Sequence, residues 1–131
     1  MDTRATGAFE ITAWEQVPYD ESAEGPQLAR ATVRKTFRGE LAGESTAELL
    51  MCADDVGGIA YTALERVVGR VGDRSGSFLL LHSAMRGGDM TRSHGRVVPD
   101  SGTGELRGLR GEVEITHDEQ GAVFVLDYDF E

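Results

Sequence analysis

Residues 28–38, LARATVRKTFR, alternate between two kinds of side chain. One row consists of Ala31, Val33, Lys35 and Phe37, and the other consists of Thr32, Arg34, Thr36 and Arg38. A period of two is that of a β-strand, whose successive side chains point to opposite faces of a sheet. The stretch therefore predicts a half-buried strand, and it places Lys35, the only lysine of the chain, on the apolar face.

Turn signals separate this strand from similar segments along the whole chain. Glycine-containing pairs stand at 57–58, 72–73 and 87–88, and a glycine cluster stands at 101–111. The segments between them are rich in Val, Thr, Phe and Tyr, which is the pattern of an all-β meander. We predict a single domain over residues 1–131 with eight strands, at residues 6–14, 28–38, 44–53, 59–70, 75–86, 91–98, 111–117 and 122–130.

Two of these predicted strands also carry a helical signal. Ser45 with Glu48, and Thr62 with Glu65, have the spacing of a capping box before an apolar run. Glycine turns on both sides and β-branched residues within the second segment favour strands instead.

The longest predicted loop covers residues 15–27, EQVPYDESAEGPQ. It contains two prolines and four acidic residues and follows neither the helical nor the strand period. Long loops in compact domains are often functional, and an acidic surface excursion is the simpler alternative.

Composition and charge exclude several classes of partner. The net charge of −10 disfavours nucleic acid, whose binding depends on neutralising phosphates with Lys and Arg, and it disfavours an anionic membrane surface. The longest apolar runs, LLMCA and AVFVL, have five residues, whereas a membrane-spanning helix needs about 20. With one cysteine, Cys52, and no visible signal peptide, we expect a cytoplasmic protein that binds neither nucleic acid nor membrane.

Strand 75–86 is apolar on both faces. Phe78, Leu80 and His82 share one face, and Leu79, Leu81 and Met85 share the other. A contiguous apolar outer face is costly in water, so we predict that a partner subunit covers it in a homodimer or another homo-oligomer.

Several motifs together resemble one bacterial family over essentially the whole chain. They are TGAFEITAW at 6–14, KTFRGEL at 35–41, LERVVG at 64–69, RSGSFLLLH at 74–82, VVPDSGTGELRGLRGE at 97–112 and LDYDFE at 126–131. This pattern resembles the domain-of-unknown-function 3224 family. The resemblance implies an all-β fold, an eight-stranded antiparallel β-barrel like that of allene oxide cyclase, and it leaves the activity open.

The glycine cluster SGTGELRGLRG at 101–111 has two possible explanations. A phosphate-binding loop of the Walker type ends in Gly-Lys-Ser/Thr, and this stretch has no lysine. Glycines also permit tight backbone bends. We therefore predict one short helical turn near 103–107 that closes one end of the barrel.

Ionisable residues on the inferred inner faces are the candidate catalytic residues. Lys35, Glu65 and His82 fall there by alternation. A buried charge is costly unless it is paired, so Lys35 and Glu65 either form a structural ion pair that sets the strand register or act as an acid/base pair with shifted pKa values. The predicted ligand contacts on the same inner faces are Phe37, Glu48, Tyr61, Phe78, Leu80, Phe124, Leu126 and Tyr128, although alternation alone does not settle the phase at Glu48.

No metal or cofactor is predicted. The three histidines, His82, His94 and His117, lie on different segments without metal-ligand spacing. An eight-stranded barrel is just wide enough for one small ligand or is filled by its own side chains. The sequence therefore predicts binding of a small apolar molecule, and by fold analogy a cofactor-independent cyclase or isomerase acting on a flexible polyketide- or lipid-like substrate. A non-catalytic carrier or sensor and a filled barrel acting as an interaction module are the alternatives.

Overall fold

The computed structural model describes residues 3–22, 24–86, 92–119 and 121–131. As predicted, the chain forms a closed barrel of eight antiparallel strands in which each strand pairs with the next and β8 pairs with β1. Residue 91 and the turn at 87–88, both used in the prediction, lie outside the described residues. The strands are β1 Thr3–Asp20, β2 Gln27–Gly39, β3 Leu41–Asp54, β4 Gly57–Val71, β5 Arg74–Met85, β6 Arg92–Val97, β7 Leu109–Asp118 and β8 Gly121–Phe130.

Strand β1 corrects the predicted loop at residues 15–27. It has 18 residues and runs to Asp20, so that only residues 21–26 connect it to β2. Pro18 lies opposite Ala29 of β2, next to a register shift. On its other side, β1 pairs with β8 only over Thr3–Ala8, so Pro18 lies at an unpaired edge of the strand. Proline is tolerated at such an unpaired edge because it has no N–H to donate to a ladder.

One end of the barrel is closed by the predicted turn and by a large apolar core. The turn is a 3-10 helix at Gly104–Leu106, and Leu106 is completely buried. The segment holding the turn is attached to β5, because Thr103 N–H donates to Ser77 O at 2.8 Å and Ser75 N–H donates to the Glu105 carboxylate at 3.1 Å. The glycine cluster is therefore a backbone device that closes the barrel, as predicted.

The other end of the barrel is open. Its buried residues are small or medium in size and are joined by the half-buried Met51 and Tyr61: they are Ala31, Val33, Ala47, Leu49 and Ala63. The lumen is thus filled at the closed end and incompletely filled at the open end. Within the described residues, no helix is long and apolar enough to cross a membrane.

Candidate functional site

A buried carboxylate lies at the boundary between the two halves of the lumen. Glu65 of β4 points inward and is 0% exposed. Its Oε1 lies 3.0 Å from Lys35 Nζ of β2 and 2.8 Å from His82 Nε2 of β5, and its Oε2 accepts a hydrogen bond of 2.6 Å from Ser45 Oγ of β3. Four adjacent strands therefore each contribute one polar group to a single cluster.

These contacts keep Glu65 ionised. Burial by itself resists the charge, but the hydrogen bond from His82, the positive charge of Lys35 and the hydrogen bond from Ser45 outweigh it and lower the pKa of Glu65 to about 2. An ionised carboxylate is an acceptor only, so His82 donates its Nε2 proton to Glu65. The orientation and tautomer of the imidazole follow from this bond.

A chain of hydrogen bonds leads from His82 towards β6. His82 Nδ1 lies 2.9 Å from the Tyr61 hydroxyl, which in turn lies 2.5 Å from Ser93 Oγ. Tyr61 donates to Ser93 Oγ, and the donor between Tyr61 and His82 Nδ1 depends on the tautomer of the imidazole. The Tyr61 hydroxyl therefore links the imidazole of His82 to Ser93. Burial raises the pKa of Tyr61, which keeps its hydroxyl protonated.

A cavity of about 210 Å³ opens above this cluster at the open end. Its polar lining consists of Lys35, Tyr61, His82, Ser93 and His117, and its apolar lining consists of Phe9, Ile11, Trp14, Val33, Leu49, Met51 and Ile115. The Lys35 ammonium also lies 5.0 Å from the centre of the Phe9 ring. The walls are thus mainly apolar, and the floor presents one cation and a hydroxyl-linked imidazole.

The structure brings together only part of the predicted site. Lys35, His82 and Tyr61 line the cavity, and Glu65 lies directly behind them without reaching it. Six other predicted ligand contacts belong to the closed end instead: Phe37, Phe78, Leu80, Phe124 and Leu126 are part of its core, and Tyr128 packs against that core. Their inward direction is as predicted, but their position along the barrel is not one from which they can contact a molecule in the cavity.

The predicted ligand contact at Glu48 is wrong. Glu48 lies on the exposed outer surface of β3, where its carboxylate accepts a hydrogen bond of 2.8 Å from Thr32 Oγ1. The inward row of β3 consists of Ser45, Ala47 and Leu49, so alternation turns Glu48 outward. Glu48 therefore takes no part in the lumen.

Sequence reasoning missed Trp14 and Ser45. A register shift between Ile11 and Ala13 changes the parity of β1, so Ile11 and Trp14 both reach the cavity although they are three residues apart. No pattern in the sequence marks that bulge. The inward position of Ser45 could have been predicted from the sequence, because Ser45 lies on the same row of β3 as the apolar Ala47 and Leu49.

Two of the three histidines, His82 and His117, line the same cavity. His82 lies in the buried cluster, His117 lies at the cavity, and His94 lies on the exposed face of β6. Among the residues that the structure describes, no group of three or more His, Cys, Asp or Glu side chains is placed to hold a metal ion.

Comparisons with known proteins agree with the barrel and add no activity. The model of the DUF3224 family, described as "protein of unknown function", matches residues 5–131. A crystal structure of a DUF3224-family protein of unknown function from Shewanella oneidensis MR-1 is 36% identical, with 98% of each chain covered and a TM-score of 0.82. No curated protein matches the chain significantly. The likeness to allene oxide cyclase stays a prediction.

Proposed function

The chain belongs to the DUF3224 family, and on that premise we propose that its barrel binds a small, mainly apolar molecule with an oxygen acceptor in the open-end cavity. The observation that carries this proposal is the cavity itself: apolar walls above a floor where Lys35, Tyr61 and His82 converge. A concave apolar site with a few converging polar groups is typical of small-molecule sites in proteins.

Lys35 is the group that would hold the oxygen of the ligand. An ammonium has three N–H donors, and Glu65 accepts one of them at 3.0 Å. The remaining donors belong to a side chain that lines the cavity. In such an apolar site, a fixed cation stabilises negative charge that develops on a carbonyl oxygen far more than water does.

His82 and Tyr61 would move a proton next to that oxygen. His82 takes a proton, relayed through the Tyr61 hydroxyl, from the carbon beside the carbonyl, Lys35 stabilises the enolate oxygen, and the proton returns to another carbon. An isomerisation or cyclisation of this kind returns the proton that it takes, so it needs no redox co-reactant. Glu65 does not touch the ligand in this scheme, and its role is to position Lys35 and His82.

The cavity volume limits what can enter. At about 210 Å³ it is smaller than the roughly 300 to 1,000 Å³ typical of sites for drug-sized ligands. Trp14 at the mouth is 46% exposed. A small molecule fits entirely, whereas a longer lipid- or polyketide-like substrate would insert only its carbonyl end and leave the remainder along Trp14.

A non-catalytic carrier is the second candidate. The observation that favours it is the saturation of Glu65, whose two oxygens are occupied by Lys35, His82 and Ser45. A carboxylate that is fully bonded in this way also serves as a structural ion pair that holds four strands in register. Both candidates use the same cavity and differ only in whether a proton is transferred.

Cyclohexanone dissolved in D2O distinguishes the two. Binding is followed by the fluorescence of Trp14, the only tryptophan of the chain, and proton transfer by the loss of the ketone α-proton signals in NMR. Binding with faster exchange supports the isomerase, and binding without it supports the carrier. The absence of both signals at millimolar ketone would contradict the cavity proposal.

Two variants locate the effect. Tyr61→Phe removes the hydroxyl at the cavity, so we expect exchange to fall at least about tenfold, the lower part of the range for one acid/base group. Tyr128→Phe removes a hydroxyl from the closed end and is the matched control, with no change expected.

A further inference from the structure

The outer face of β4 and β5 carries an exposed apolar patch. Leu64 and Leu81 are 54% and 51% exposed and lie directly opposite each other on neighbouring strands. Leu50 and Met85 are further exposed large apolar residues on this side of the barrel, and Val68 lies beyond the exposed Arg66 on the same outward row as Leu64. Contiguous apolar surface of this kind marks interaction sites. We call these five apolar residues the β4–β5 patch.

The patch begins where the chain stops covering its own strand. Leu79, two residues before Leu81 on the same outer row, is half-buried because the segment after β6 lies against it. Val98 N–H donates to Leu79 O at 2.9 Å, and Leu79 N–H donates to Ser101 Oγ at 3.0 Å. From Leu81 onwards the described residues provide no such cover, so the original expectation of a partner applies to Leu81 and Met85 and not to Leu79.

Opposite charges flank the centre of the patch at equal distances. Leu64 pairs with Glu48 on the β3 side, and Leu81 pairs with Arg96 on the β6 side, so that one row across four strands reads Glu48, Leu64, Leu81, Arg96. Both charged residues are exposed. Among the described residues, Glu48 bonds the Thr32 hydroxyl and no cation, and Arg96 makes no ion pair.

We propose that the β4–β5 patch binds a second copy of this chain across a two-fold axis that runs parallel to the strands between β4 and β5. When two identical faces pack together about such an axis, the β3 side of one copy lies against the β6 side of the other. Glu48 of one copy then meets the partner's Arg96, and Arg96 meets the partner's Glu48. An in-plane axis perpendicular to the strands would instead bring like charges together, which costs binding energy.

The size and charge of the face suit a second copy better than other partners. Four strands about 5 Å apart and roughly ten residues long present on the order of 600 Å², near the lower limit per partner for a specific interface. The flanks Glu48 and Arg96 carry opposite charges, and Arg66, which lies between Leu64 and Val68 on the same outward row, adds a single cation. One cation is not the positive rim that attracts an anionic membrane or nucleic acid. The opposite flanks make the face complementary to itself.

The first test is the molar mass of the full chain at micromolar concentration, measured by analytical ultracentrifugation. We expect a dimer whose dissociation constant rises at least roughly tenfold in Leu64→Asp, because a charge is then buried at the centre. Glu15→Arg, on the remote strand β1, is the control and should leave the dimer intact. A monomeric wild-type chain, or a dimer unaffected by Leu64→Asp, would overturn the proposal.

The second test fixes the axis by mixing two charge-reversed variants. Glu48→Arg and Arg96→Glu should each weaken their own homodimer about tenfold through two repulsive contacts. In a mixture of the two variants, both contacts become attractive, so native mass spectrometry should detect mainly heterodimer. If Glu48→Arg instead pairs preferentially with the wild-type chain, like residues face each other and the proposed axis is wrong.

Discussion

At the closed end of the barrel large apolar side chains fill the lumen, whereas at the open end the same strands carry small or polar ones. Strand β2 shows the change within one inward row, from Phe37 at the closed end through Lys35 to Val33 and Ala31 at the open end. An eight-stranded barrel is only just wide enough to be filled by side chains. The difference between the two ends therefore shows that side-chain volume along a single row decides whether a barrel is solid or hollow.

The cluster of Lys35, Glu65 and His82 lies where the two ends meet. Large residues of the closed end exclude water from one side of it, and the cavity borders it on the other. Such a position makes the charges strongly dependent on one another, because their interaction is weakly screened.

The largest expected effect is at the closed end. Phe124→Ala removes a completely buried ring that packs edge-on against Phe37 at 5.4 Å between ring centres, so we expect the free energy of unfolding to fall by about 4 kcal/mol. Met51→Ala at the open end should lower the free energy of unfolding by only about 1 kcal/mol, because the Met51 side chain is half-buried and less buried apolar surface is lost. Urea denaturation measures both. Equal losses would contradict the division of the barrel into a filled and a hollow half.

Breaking the ion pair at the boundary should cost nearly as much. Lys35→Met leaves Glu65 with His82 and Ser45, so we expect a loss of about 3 kcal/mol, the lower end of the range for separating a buried pair. Lys35→Met with Glu65→Leu should recover much of that loss. A Lys35→Met variant with an unchanged urea midpoint would show that the pair does not form.

Acid should destabilise the protein through Glu65. Its folded-state pKa of about 2 lies below its usual value of 4.5, so its stabilising contribution is complete above about pH 5 and is lost as the pH falls towards 2. One pKa unit corresponds to about 1.4 kcal/mol, which makes this contribution on the order of 3 kcal/mol over the whole window. In Glu65→Gln, the dependence of unfolding free energy on pH should be shallower between pH 2 and 5. Identical slopes in the two proteins would contradict the assignment.

The smallest effect concerns the turn that closes the barrel. Gly104 has φ +60°, and a Cβ there would lie 3.0 Å from Ser75 O. Gly104→Val should therefore cost about 1 to 2 kcal/mol through left-handed backbone strain, without affecting the cavity. Thermal unfolding measures the loss, and the Trp14 fluorescence of the folded variant should match that of the wild type. A changed Trp14 signal would mean that the two ends are coupled.

The sequence was sufficient to predict the eight strands, apart from the extension of β1 to Asp20, and the inward direction of most site residues. The alternation around Lys35 and the position of His82 on β5 correctly placed both side chains in the lumen, and the glycine cluster correctly predicted a short helical turn near residues 103–107. Both inferences depend on local rules, since the pleat of a strand and the requirements of a turn involve only neighbouring residues.

Only the tertiary structure decided which inward residues share a site. Phe124 and Tyr61 both point inward, yet one lies in the filled core and the other at the cavity, because register between strands determines height along the barrel. The bulge in β1 that turns Trp14 inward and the row that joins Glu48 to Arg96 across four strands have the same origin. Pairing between distant segments produces all of them, and no single segment carries that information.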